Sequence, residues 1–204
     1  MGFEVFDYRK DVRNVIIEPE IRARFFRLEP GEVARAHTHD LGQEVFLVLQ
    51  GRVEFEIEGH KETLGPGQLC FAAAGESHIS RCVGDQPVIY YLSVTPHIEP
   101  THTHWDEGGS KLPPRYGGLS LREPDHDIAT PVQKADASAA AAAALGRSAV
   151  ENAAAQGSGA DRVKRALAAG DRDAAKAVID EMWTALHATF ESLRELGLAW
   201  NELA

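Results

Sequence analysis

The chain has 204 residues, enough for one substantial domain or one domain with an appendage. Its 44% hydrophobic and 25% charged residues match an ordinary globular composition, and no stretch nears the ~20 apolar residues a membrane span needs. A formal net charge of −10, without any Lys/Arg cluster to offset it, argues against nucleic acid as a partner.

The opening MGFEVFDYRKD lacks the basic start and apolar core of a signal peptide, so a cytoplasmic location is expected. Cys70 and Cys82 alone do not make a disulfide framework. Residues 3–8 and 14–18 read as short strands, the second halted by Pro19. Residues 20–28 (EIRARFFRL) read as a longer strand, and Glu29-Pro30-Gly31 as a turn. A strand over 33–39 and a buried one over 44–49 follow. In 52–58, Val53, Phe55 and Ile57 alternate with Arg52, Glu54, Glu56 and Glu58, giving one apolar and one charged face. Gly59-His60 is a hairpin tip returning through 61–64. Gly65-Pro66-Gly67 turns into 68–72, and 77–83 and 87–95 complete the set. Short strands at this spacing, divided by Gly/Pro turns, predict an antiparallel barrel or jelly roll over residues 1–96.

Residues 97–130 are proline-rich and aperiodic, with His97, His102, His104 and His126 among them. They read as an irregular connecting arm, a class that serves as lid, packing arm or linker. From 131 the pattern is α-helical, with Thr130-Pro131 as cap and first helical position. Helices are expected over 134–155, 160–169 and 172–196, the last two separated by Gly170-Asp171. Ala175, Ile179, Met182, Leu186, Phe190 and Leu193 mark one apolar face in the last, with Trp183 beside it.

The chemistry concentrates in two stretches. In GEVARAHTHDLGQEVFLVLQG (31–51), His37 and His39 sit two apart, so on a strand both imidazoles share a face, and Glu44 follows. GQLCFAAAGESH (67–78) adds His78. Three imidazoles and a carboxylate suit one divalent transition metal; iron(II), manganese, nickel, copper and zinc all accept such ligands. The competing reading has these four buried groups satisfying one another, and leaving them unpaired would cost on the order of kcal/mol each. Glu44 can ligate or act as a base, and sequence does not separate the two roles. Strand parity nominates Phe46 and Cys82 as pocket neighbours, with Cys82 also readable as apolar filler. One of Tyr90 and Tyr91 should face inward, and His102 and His104 repeat the paired spacing and can close over the pocket.

The order and spacing resemble the cupin superfamily. Its first motif, G-x5-H-x-H-x3-4-E-x6-G, is matched by Gly31, His37, His39, Glu44 and Gly51. Its second, G-x5-P-x-G-x2-H-x3-N, is matched by Gly67, Gly75 and His78, with Ala73 in place of proline and Cys82 in place of asparagine. The resemblance spans roughly 25–95 and implies a barrel with one metal per chain, commonly paired as a homodimer. It implies a metal-dependent enzyme acting on a small organic molecule, with a dioxygenase-type oxidoreductase leading. Isomerase or lyase chemistry and a non-catalytic binding or sensing role stand as alternatives.

Overall fold

The computed structural model describes residues 2–116 and 129–204. His126 and that part of the connecting arm lie outside the described residues. Contacts divide the chain into two compact units between Glu123 and Pro124.

The first unit is built of eight strands: β1 (Asn14–Ile17), β2 (Arg22–Leu28), β3 (Gln43–Gln50), β4 (Val53–Ile57), β5 (His60–Leu64), β6 (Leu69–Ala72), β7 (His78–Cys82) and β8 (Val88–Thr95). All pairings are antiparallel, in a five-stranded sheet ordered β1-β2-β8-β3-β6 and a three-stranded sheet ordered β5-β4-β7. Alternation decides what lies between the sheets. Phe46 and Val48 of β3, Val53 and Phe55 of β4, Cys82 of β7 and Val88, Tyr90 and Leu92 of β8 form one buried cluster. Each partner position along β4 supplies the opposite, charged face, where Arg81 pairs with Glu54 at 3.0 Å and with Glu56 at 2.8 Å. Exposed pairs of this kind contribute little, so the barrel rests on its apolar interior.

Two expected strands did not form. At the N-terminus, Asp7 captures the local backbone instead: Lys10 N and Asp11 N donate to Asp7 O at 2.8 Å, and Arg9 N donates to Asp7 Oδ1 at 3.0 Å. Such side-chain turns compete with a ladder for the same donors. Residues 33–39 make only isolated bridges, because adjacent residues serve different neighbours. His37 pairs with His78 while Thr38 pairs with Thr103. The connecting arm therefore begins as part of the barrel unit. Thr103 N donates to Thr38 O at 2.8 Å and His97 N to Pro19 O at 2.8 Å.

The second unit is a helical hairpin of α1 (Ala129–Ala168) and α2 (Arg172–Leu203). One 40-residue helix replaces the two expected over 134–169, running through Gly157 and Gly159. A glycine inside a helix costs about 1 kcal/mol relative to alanine. At Gly159 packing compensates, since a Cβ there would stand 2.5 Å from Met182 Sδ. The hairpin turn follows the expected chemistry. Gly170 has φ +75°, Asp171 N donates to Ala166 O at 2.9 Å, and Asp171 Oδ1 accepts from Ala174 N at 2.9 Å. The seam differs from the expected face. Ala175 and Val178 are buried with Met182 and Leu186 half-buried, while Ile179, Trp183, Phe190 and Leu193 stay exposed. No helix among the described residues is long and apolar enough to cross a membrane.

Gly51 closes the β3–β4 turn at φ +76°, and a Cβ there would meet Pro87 O at 2.5 Å. Gly67 has a similar φ of +82° but open space around it. Gly51→Ala is therefore expected to cost roughly 2–4 kcal/mol, against about 1 kcal/mol for Gly67→Ala. Urea unfolding of both variants checks this; equal losses would remove the steric argument.

Candidate metal centre

Glu44 projects inward from β3, and His78 from the start of β7. His37 and His39 arrive on the loop before β3, tied to β7 through reciprocal bonds between His37 and His78 (3.2 and 3.0 Å) and through Gly75 N donating to His39 O at 2.7 Å. The expected proline position, Ala73, uses its own N–H, donating to Glu76 Oε2 at 2.8 Å. The turn is held by that side chain in place of a fixed φ. His39, Glu44 and His78 are buried and His37 is half-buried. One ligand atom from each of the four lies within 4.8 Å of the others.

The orientation of each ring is set by its other nitrogen. His37 Nδ1 lies 2.9 Å from Arg35 O, His78 Nδ1 lies 3.0 Å from Glu76 O, and His39 Nδ1 is hydrogen-bonded to Thr101 O. A carbonyl only accepts, so each Nδ1 carries the hydrogen, and in the neutral ring each Nε2 is a bare lone pair. Those Nε2 atoms converge: His39 at 3.0 Å and His78 at 2.9 Å from Glu44 Oε2, His37 at 3.8 Å, and His37 at 3.1 Å from His78. Burial pushes the Glu44 carboxyl up, and only rings that also carried a proton on Nε2 would donate to it and hold it below the ordinary carboxylate range. Four electron-pair donors therefore face one another at close range. Such a set fits a divalent cation, which alone satisfies all four without adding a proton to any ring.

The centre forms one wall of a cavity of about 300 Å³, at the small end of ligand cavities of about 300–1,000 Å³. Phe46, Tyr90, His102 and His104, all nominated from sequence, line it. The His102 ring sits 4.6 Å from that of His37 and 4.9 Å from that of His39, outside the four-ligand cluster. Burial, reinforced by His37 and His39, pushes the His102 imidazole down to about 2, so it stays neutral. Tyr90 donates to or accepts from Ser80 at 2.8 Å, and burial raises its hydroxyl well above the usual range, keeping it protonated.

Two nominated residues lie elsewhere. Cys82 faces inward, but four residues along β7 from His78, about 13 Å, places it in the apolar core, with Sγ 3.4 Å from Gln86 O. Tyr91 points to the outer face, where it meets Phe25 edge-on at 6.2 Å. Conversely, Arg22, Arg24 and Ser80 line the cavity, and Thr101 orients His39 without doing so. Period-two alternation in β2 puts Arg22, Arg24 and Phe26 on one face, but two arginines ordinarily signal solvent.

A family model described as "Cupin domain" matches residues 24–95. The barrel has a cupin-like fold. Many cupins are metal-dependent enzymes and others are not enzymes. The chain is similar to a Klebsiella pneumoniae protein with a double-stranded β-helix domain (23% identity, 47% of this chain and 91% of that one, TM-score 0.44). It is also similar to a Thermus thermophilus protein (23%, 46% and 98%, 0.44) and to KdgF from Halomonas sp. (25%, 42% and 78%, 0.40). No curated protein matches the chain.

His97, 2% exposed in the barrel unit, gives a pH test. Burial, with Arg22 nearby, pushes its imidazole from 6.5 down to about 4. The unfolded chain thus takes up a proton first as pH falls, and stability drops between about pH 6.5 and 4, by roughly 3 kcal/mol for this shift. In metal-stripped protein, His97→Gln should show a shallower loss than the parent across that window in urea titrations. Parallel curves would contradict it.

Proposed function

We propose that this cupin-like protein is a metal-dependent enzyme acting on a small organic molecule, with dioxygenase-type oxidation as the leading reaction. The observation that carries the reading is the three Nε2 atoms, each aimed by a carbonyl-bound Nδ1, meeting the Glu44 carboxylate at the wall of a cavity. His37, His39, Glu44 and His78 would hold one first-row divalent ion. Bound there, it supplies Lewis acidity and, if redox-active, one-electron chemistry with dioxygen.

The chain's own residues divide the remaining work. Glu44 is assigned to holding the ion: its Oε2 lies 2.9–3.8 Å from the Nε2 atoms of all three histidines, and Arg22 Nη2 stands 3.9 Å from its other oxygen. His102, held neutral at the cavity wall, is available to exchange a hydrogen bond with a bound molecule. The protonated Tyr90 hydroxyl, held against Ser80, is a fixed polar handle. Phe26, Phe46 and Phe55 supply an apolar wall that limits water. We further propose a homodimer, supported by Leu69 and Phe71 on the edge strand β6, which are 58% and 57% exposed.

Elemental analysis of protein purified without chelators or metal-affinity tags is expected to find about one metal per chain, abolished in the His37→Ala/His39→Ala double variant. Oxygen-electrode traces over phenolic and diketone compounds then test the reaction. Unchanged metal in the double variant would sink the site, and full metal without uptake on any compound would sink the oxidation. Light scattering should return twice the 22.2 kDa of one chain; a monomer mass would remove the dimer.

A further inference from the structure

The charge around the cavity deepens the proposed function and rests on it. In β2, Arg22 and Arg24 alternate with the buried Ala23, so both enter the barrel with Phe26. The register places Arg22 opposite Val94, which is itself opposite Glu44, and Arg24 opposite Leu92, itself opposite Phe46. Two arginines thus stand on the metal side of the apolar wall, in the row of Glu44 and the next one.

Each guanidinium leaves its buried Nε without a hydrogen-bond partner. Arg22 is 2% exposed, its ion-pair distance to Glu44 is 3.9 Å, and its buried Nε has no hydrogen-bond partner. The Arg24 Cζ lies 4.6 Å from the Phe26 ring centre; its Nε is also buried and unpartnered, and it forms no ion pair with any described residue. Guanidinium does not give up its charge, and its planar fork of donors matches a planar pair of oxygens. Glu44 is the one acid among the described cavity-lining residues, and three imidazoles already crowd it. Glu99 acts on Arg22 electrostatically from outside that lining. Arg22 and Arg24 balance Glu44 and Glu99, the exposed Arg35 at the lining adds one positive charge, and a divalent ion would raise the excess further.

We propose that the cavity takes a small carboxylic acid, with its carboxylate on the Arg24 and Arg22 forks and its apolar body against Phe26, Phe46 and Phe55. A carboxylate is favoured over a phosphate because no lysine is among the described cavity-lining residues to supply further donors. The Phe26 ring lies against Arg24, which suits a flat, singly charged group with a short body.

The test uses the full chain, with metal content measured on each sample. Benzoate and mandelate are titrated by calorimetry against their neutral counterparts benzamide and mandelamide, with phenyl phosphate as a further probe. The acids should bind at least ~10-fold more tightly than the amides, and Arg24→Gln should weaken the acids by ~10–100-fold with metal content unchanged. Equal binding of acid and amide, or acids binding Arg24→Gln as they bind the parent, would overturn the proposal. Preference for phenyl phosphate over benzoate would overturn the carboxylate assignment. If Arg24→Gln fails to fold by circular dichroism, the acid-to-amide ratio in the parent decides alone. Metal-free protein that selects acids through Arg24 would defeat the metal reading and leave this one standing. Metal-replete protein indifferent to the acids would do the reverse.

Discussion

Three imidazole lone pairs and one carboxylate pointed at the same small volume is an unfavourable arrangement by itself. The protein enforces it by spending each ring's Nδ1–H on a backbone carbonyl: Arg35 for His37, Thr101 for His39, Glu76 for His78. Two of those carbonyls are local, two residues before the histidine they hold. The third comes from the arm after β8, 62 residues away in sequence. Closing the barrel and orienting the second histidine are thus one event, and the arm belongs to the centre as much as the strands do. The alternative in which the four groups satisfy one another needs extra protons on the rings, beside a carboxylate already surrounded.

The sheet register turns this constraint into a cavity. Inward positions step along each strand by two, so a residue's row is fixed once its neighbours pair. Glu44, Val94 and Arg22 share a row across β3, β8 and β2, followed by Phe46, Leu92 and Arg24, and then Val48, Tyr90 and Phe26. Polar groups crowd the first rows and apolar ones take over further along, ending in the core where Val53 opposes Cys82. A one-residue slip of β2 would send both arginines outward and bring Ala23 and Phe25 in. That single register separates a charged cavity from an apolar one.

Much of this was legible in the sequence because it is local. Gly/Pro turns, the alternation in 52–58 and the spacing of His37, His39 and Glu44 each depend on neighbours within a few residues. The four grouped histidine and glutamate side chains follow from that spacing plus one long-range pairing, His37 with His78. What stayed hidden depends on which segments meet. Arg22 and Arg24 look solvated until β8 pairs with β2. Tyr90 and Tyr91 are indistinguishable until the register picks one. Parity turned Cys82 inward correctly, but only depth along β7 shows that it packs in the core. The missing strand at 3–8 was lost to Asp7, whose carboxylate bonds outcompete a ladder that sequence periodicity suggested.

The helical unit illustrates the same division between local signal and tertiary choice. Its turn at Gly170-Asp171 was readable because cap chemistry is local. The join through Gly157 and Gly159 was not, because its compensation lies on the other helix, at Met182. The same contact explains the shifted seam. A glycine on α1 admits a long side chain from α2, and with Met182 as the inward residue Val178 and Leu186, each four residues away from it, turn inward too. Ile179 and Trp183, one position beyond Val178 and Met182, are carried round by about 100° each and left exposed. The apolar stripe in the sequence is wider than the seam one partner helix can cover, so the rotation chosen by a single small residue decides which part of it stays in water.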